Sequence, residues 1–365
     1  MALEGSVVTS SYKDRSVTLS WKATPDIVTN SDTLTWQIVG SGSAGGWVMV
    51  SELKAVIDGT TVYYRSSDNH TQCYNGTLLA SGTIVLPHND EGNKSFTASI
   101  HAGIYEWGIN CSGSDNFTLN QIARASSITS ASNTILGNNC SVTWTPASSS
   151  FRYKLKFAIG GWSDTTGYIS PNTNKSYTYN QFLIPVSVAN YITSSSSGTM
   201  TVYLYTYNGT TQIGSTSTKT VTVSVPESIV PTIDSLSLSI DNSANNVVED
   251  WGICVSGYSK VKLDATGSGA YGSSISSFIL DGTYSGNVGG SQLSYTGPIL
   301  TSSGSRQFSV QAKDTRGRTS SVSTESVTVY AYSEPSISSF AVSRNTSWTQ
   351  NLFGICCPVY RLEHL

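Results

Sequence analysis

The fold class this sequence predicts is all-β, a row of tandem antiparallel β-sandwich domains, and three observations predict it. Short segments that alternate apolar and polar residues recur roughly every ten residues. Turn pairs such as Asn-Gly, Asp-Gly and Gly-Gly separate them, and windows with helical periodicity are nearly missing. Charged residues are only 12% of the chain while Tyr alone contributes 20, so the sheets carry uncharged polar and aromatic outer faces. A disordered chain needs the reverse, high net charge and few aromatic or β-branched residues.

In chain order, SVTLSWKA, TLTWQIVG, WVMVSELKAVIDG, TVYYR, GTLLASGTIVL and KSFTASIHAGI read as strands of a first domain. CSVTWTP, FRYKLKFAIGG, GTMTVYLYTYNG and KTVTVSV read as strands of a second, and SKVKLDATG, SSFILDG, RQFSVQAKD and SVTVYAY as strands of a third. Trp21 and Trp36 lie inside alternating strands and are expected in the first core. Only Pro185 to Tyr191 has the look of a helical turn or two, with Pro185 suited to a first helical position. LNQIARASS joins the first domain to the second, and Pro226, Pro231 and Pro335 stand at later strand junctions, where a stiff connector fits. The expected domains are 1–122, a jelly-roll or carbohydrate-binding-like sandwich; 123–230 and 231–333, Ig-like sandwiches; and 334–365, the truncated start of a further module or a tail.

Composition also excludes classes of function. A net charge of -3 and a pI near 5.8 leave no excess of cations for phosphates, so no nucleic-acid partner is expected. No run approaches the roughly 20 apolar residues of a membrane span, and membrane insertion is not expected. The start, MALEGSVVTSSYKDRS, lacks the basic and apolar regions of a secretory signal, which points to synthesis in a bacterial cytoplasm. The six cysteines are too sparse for a disulfide scaffold: Cys73, Cys111, Cys140 and Cys254 stand singly, and Cys356 and Cys357 are adjacent. Free buried thiols are expected, with a Cys73 to Cys111 bridge as the alternative.

Several strings resemble a siphovirus tail family of unknown function, the large minor structural proteins of phages and prophages of streptococci and related Firmicutes. GGWVMVSELKAVIDGTTVYYRS, YNGTLLASGTIVLPHNDEGNKSFTASI and FTLNQIARASSIT carry the resemblance in the first domain. IPVSVANYITSSSSGTMTVYLYTYNGTTQIGSTSTKTVTVSVPESIVPTI carries it in the second. In the third, VSGYSKVKLDATGSGAYGSSISSFILDG and VQAKDTRGRTSSVSTESVTVYAYSEPSI resemble an Ig-like module of phage tail proteins, with an Asp-x-Arg-Gly-Arg turn at Asp314 to Arg318. The resemblance runs over residues 5 to 344, and beyond Arg344 the sequence departs from the pattern. It implies a virion component at the tail tip and implies no catalytic activity.

The motifs that carry chemistry elsewhere fit poorly. Gly40, Gly42 and Gly45 spell GxGxxG, but a strand follows them where a dinucleotide site needs a helix N-terminus. His70, His88, His101 and His364 lack helical metal spacing, and no GxSxG elbow occurs. HNDEGNKS, His88 to Ser95, reads as a turn in which Asp90 or Glu91 could pair with Lys94. FAIGGWSDTTGYIS, with Trp162, Asp164 and Tyr168, reads as a hairpin with cross-strand aromatic packing. No catalytic residue, metal or cofactor is expected.

Aromatics of the first domain are the more informative set, because they outnumber what its core needs and several flank loops rich in Asp, Asn and His. Sugars bind by stacking on aromatic planes while polar groups bond their hydroxyls, so Trp47, Tyr63, Tyr64, Asp68, His70, Tyr105 and Trp107 are the candidate glycan contacts. Tyr63 and Tyr64 are consecutive in a strand and must face opposite ways. The expected function is a non-catalytic tail-tip or fibre protein that adsorbs to host-surface glycan. Its expected partners are bacterial cell-surface polysaccharide or glycoprotein, other tail proteins and further copies of itself as a homo-oligomer. The alternative is a prophage-derived bacterial surface protein that recognises host glycoproteins or immunoglobulins. A glycan-cleaving enzyme would need two carboxylates about 5 to 10 Å apart, and the sequence nominates no such pair.

Overall fold

The computed structural model describes residues 3–42, 48–105, 108–282 and 286–337. Within them the chain is built from β-strands, and no α-helix occurs among the described residues. No helix is long and apolar enough to cross a membrane. The chain divides into two compact units, one of Met1–Tyr191 with Ser197–Pro226, the other of Ile192–Ser196 with Glu227–Leu365.

The first unit opens with strands β1 (Glu4–Val8), β2 (Arg15–Asp26), β3 (Ser31–Gly42), β4 (Val48–Ile57), β5 (Thr60–Arg65), β6 (Thr71–Cys73), β7 (Leu78–Pro87), β8 (Ser95–Ile104) and β9 (Ile109–Thr118). They form a four-stranded sheet in the order β1-β2-β3-β7 and a five-stranded sheet in the order β5-β4-β8-β9, with β6 also paired to β4. Strict alternation sets the packing. On β2, Val17, Leu19, Trp21 and Ala23 are buried and the residues between them face out; on β8, Phe96, Ala98, Ile100 and Ala102 do the same from the opposite sheet. Each fully buried Leu or Phe contributes about 1.5–3 kcal/mol over leaving it in water. Trp21 meets Phe96 and Phe117 edge-on with ring centroids 5.2 and 5.1 Å apart, and Trp36 is as deeply buried.

The same unit continues with β10 (Ile128–Ala131), β11 (Thr134–Ile135), β12 (Asn139–Trp144), β13 (Arg152–Ile159), β14 (Trp162–Thr165), β15 (Tyr177–Leu183), β16 (Ser197–Asn208), β17 (Thr211–Gln212) and β18 (Ser217–Ser224). A three-stranded sheet β10-β12-β15 faces a six-stranded sheet β11-β18-β16-β13-β14, with β17 paired to β16. Trp144 and Tyr153 pack at 5.3 Å and Phe157 stacks on Phe182 at 4.3 Å between them. The helical turn expected after Pro185 is one short 3₁₀ stretch, Val186–Tyr191.

The second unit holds β19 (Thr232–Asp241), β20 (Cys254–Val255), β21 (Lys260–Ser268), β22 (Ile275–Gly282), β23 (Gly286–Gly289), β24 (Gln292–Thr296), β25 (Gly304–Asp314) and β26 (Ser323–Tyr330). Its sheets, β19-β21-β24 and β20-β26-β25-β22-β23, repeat the plan of the preceding sandwich, down to the parallel pairing of a two-residue strand with the last one. Two antiparallel sheets joined in this order are the Ig-like architecture. At the end of β25, buried Asp314 accepts through Oδ1 from the backbone N–H groups of Arg316 and Arg318 at 3.0 and 2.9 Å. Arg316, also buried, donates to the carbonyls of Ala270 and Tyr271. The Asp-x-Arg-Gly-Arg string is therefore a structural turn.

Cys73, Cys111, Cys140 and Cys254 are buried free thiols, so no bridge joins Cys73 to Cys111. Cys356, Cys357, His364 and all but the first few residues of the segment 334–365 lie outside the described residues.

Candidate functional site

A change of phase in one strand accompanies a recess on the first sandwich. Inward-facing residues of β4 are Val50, then Leu53, Ala55 and Ile57, so the alternation slips by one at Ser51 and Glu52. The pairing confirms a bulge: Val50 opposes Ile104 and Leu53 opposes Ala102, which leaves two residues of β4 against Gly103 alone. Bulges of this kind re-aim side chains. Glycine opposite it leaves room for the Ser51 hydroxyl, which would lie 2.8 Å from a Cβ at position 103.

Ser51 and Glu52 thereby turn toward the loop after β5 and the turn after β8. Together these elements line a recess of about 530 Å³ that also receives Asp68, His70, Tyr105 and Asn110. His70 and Tyr105 pack with ring centroids 3.8 Å apart and planes inclined by 59°. Tyr105 remains 60% exposed, which leaves its ring and hydroxyl open to a ligand. Glu52 is also within 3.9 Å of His101, whose Nδ1 is 3.1 Å from the Ser112 hydroxyl. The arrangement offers an aromatic ring, two carboxylates, an amide and an imidazole around one shallow concavity, a donor and acceptor set suited to hydroxyl-rich ligands.

Of the residues singled out in the sequence, Asp68, His70 and Tyr105 thus come together. Tyr63 and Tyr64 do not join them. Tyr63 opposes buried Ala55 and packs against the core, whereas Tyr64 opposes exposed Lys54 and is 58% exposed on the outer face of the sheet. Trp47 and Trp107 lie outside the described residues. Glu52, Ser51 and Asn110 were not singled out. The signal for the first two was present, since the apolar phase of VMVSELKAV breaks at Ser51 and Glu52.

The remaining motifs have structural roles. Gly40 is buried in β3, and a Cβ there would fall 2.1 Å from the Cys73 sulfur, so the glycine serves close strand approach. Gly45 lies outside the described residues. His88, in the loop after β7, is buried and held: its Nε2 is 2.8 Å from Asp32 Oδ2 and its Nδ1 is 2.8 Å from the Gly92 carbonyl. Lys94 pairs with Asp58 at 2.6 Å, across the sheet, in place of Asp90 or Glu91. Gly160 and Gly161 turn β13 into β14, and Tyr168 meets Tyr207 edge-on at 5.2 Å.

The profile of a family described as "Siphovirus protein of unknown function (DUF859)" matches residues 18–355. No curated protein matches the chain. Among solved structures, the fibronectin(III)-like modules of Clostridium thermocellum CbhA are 17% identical, covering 57% of this chain and 95% of theirs with a TM-score of 0.24. The ICAM-5 D1–D4 ectodomain fragment is 14% identical over 87% of this chain and 83% of its own, with a TM-score of 0.28. A putative membrane anchored protein from Corynebacterium diphtheriae is 10% identical over 89% of this chain and 95% of its own, with a TM-score of 0.25. Superpositions at such TM-scores decide nothing about what this chain does.

Proposed function

Because the chain belongs to this siphovirus family (DUF859), we propose that it is a non-catalytic structural component of the phage tail that touches host-surface glycan through the recess of its first domain. One observation carries the reading. The exposed Tyr105 ring, held against His70, stands beside the carboxylates of Glu52 and Asp68 in a shallow concavity. An aromatic plane with flanking acceptors is what a sugar ring requires, its C–H face on the plane and its hydroxyls on the acceptors. A recess this open makes few contacts per copy. Several copies on one tail would convert weak contacts into firm adsorption by raising the effective concentration.

A glycan array and a pull-down on Gram-positive cell walls, run with the full chain and with Tyr105→Ala, test this. Binding by the native chain and its loss by about tenfold or more, at least about 1.4 kcal/mol, in the variant is the expected result. Equal binding by both, or none by either, overturns the recess as the contact. Release of reducing ends from cell-wall polysaccharide overturns the non-catalytic part.

A further inference from the structure

The outer face of the six-stranded sheet carries a second arrangement, on a different sandwich from the recess and independent of it. On β13, Arg152, Lys154 and Lys156 alternate with the buried Tyr153, Leu155 and Phe157, so all three cations face away from the core. On the adjacent β16, Tyr203, Tyr205 and Tyr207 face outward in the same way. Their register opposes them in pairs: Arg152 with Tyr207, Lys154 with Tyr205 and Lys156 with Tyr203. Cations therefore repeat at every second residue of a strand, about 6.6 Å apart.

Tyrosine rings hold these cations. Lys154 Nζ lies 4.3 Å from the centroid of Tyr168 and 5.8 Å from that of Tyr207, and Lys156 Nζ lies 5.7 Å from that of Tyr203. The Arg152 guanidinium is 5.7 Å from the Tyr168 ring. None of the ion pairs among the described residues involves any of the three. In a chain with 20 Lys and Arg among 365 residues and a net charge of -3, three cations at alternate positions of one strand are a local concentration of charge. Ring quadrupoles offset part of the mutual repulsion and fix the charges in place.

We propose that this face binds an anionic polysaccharide, a polymer with a phosphate or carboxylate on each repeat and hydroxyls between. The anions meet Arg152, Lys154 and Lys156, and the hydroxyls meet the phenols beside them. Single-stranded nucleic acid also presents evenly spaced phosphates, but its bases need open aromatic faces to stack on. Here ammonium and guanidinium groups lie over the rings of Tyr168, Tyr203 and Tyr207, which favours the glycan.

Biolayer interferometry on the full chain tests the proposal with four probes: a glycerol-phosphate polymer, polygalacturonate, neutral dextran and an oligothymidylate. Expected are binding to one or both anionic polymers and not to dextran, weakening of that binding as salt rises from about 50 to about 200 mM, and a loss of about tenfold or more in an Arg152→Gln, Lys154→Gln, Lys156→Gln triple variant. The phosphate and carboxylate probes separate the two anion sources. Lys154→Gln alone, with a smaller loss, guards against misfolding of the triple variant, and Tyr64→Ala, at an exposed position of the first domain, leaves this binding unchanged. The proposal is overturned if no anionic polymer binds, if the triple variant binds as well as the native chain, or if the oligothymidylate binds more tightly than both polymers.

Discussion

His88 shows how a single residue is decided by its neighbours. The Gly92 carbonyl can only accept, so the Nδ1 side of the ring donates to it, and Nε2 faces the Asp32 carboxylate. Both side chains are almost wholly out of water. Removing one partner of such a pair strands the other, which typically costs about 3–5 kcal/mol; His88→Ala is expected to lower the unfolding free energy by that order in urea titrations. Cys140 gives a pH signature. Burial pushes its thiol up to about 11 from an ordinary 9.0. A folded-state value above the unfolded one adds stability that is fully present below pH 9 and lost as pH rises toward 11, on the order of 2 kcal/mol. Cys140→Ala is expected to lack that part of the alkaline decline, which melting curves against pH will measure.

At the scale of elements, the bulge in β4 is the feature on which the recess depends. Gly103→Ala forces the new methyl against the Ser51 hydroxyl. It is expected to cost about 1–3 kcal/mol through overpacking and to weaken glycan binding more than an exposed substitution such as Tyr64→Ala does. The turn closing β25 behaves differently, because the buried Asp314 carboxylate satisfies two backbone donors. Asp314→Ala is expected to destabilise its sandwich by about 2 kcal/mol or more with no effect on either binding face, as melting and binding assays on one preparation will show. The bulge was legible in the broken phase at Ser51 and Glu52. The turn at Asp314 was visible as a string but not as a buried charge, since burial depends on what packs over it.

For the whole molecule, two compact units imply that unfolding is not a single two-state event. Differential scanning calorimetry is expected to show more than one transition, with His88→Ala lowering only that of the first unit and Asp314→Ala only that of the second. One transition shifted equally by both variants would refute this separation. The repeated strand order of the two Ig-like sandwiches was hidden at the sequence level. Their two-residue strands β11 and β20 are too short to show any alternation.

Period-two patterning, turn pairs and low charge determined by themselves that this chain is all-β and built of antiparallel sandwiches, because the alternation of faces is a property of neighbours along the strand. They also fixed that Tyr63 and Tyr64 part ways. Tertiary structure alone decided which of them packs inward, that His88 finds Asp32 56 residues away, and that Arg152, Lys154 and Lys156 stand opposite a row of tyrosines. Those outcomes depend on cross-strand register, which is set by bulges and by packing of the buried face across distant segments, and a slip of one residue would have reversed every one of them.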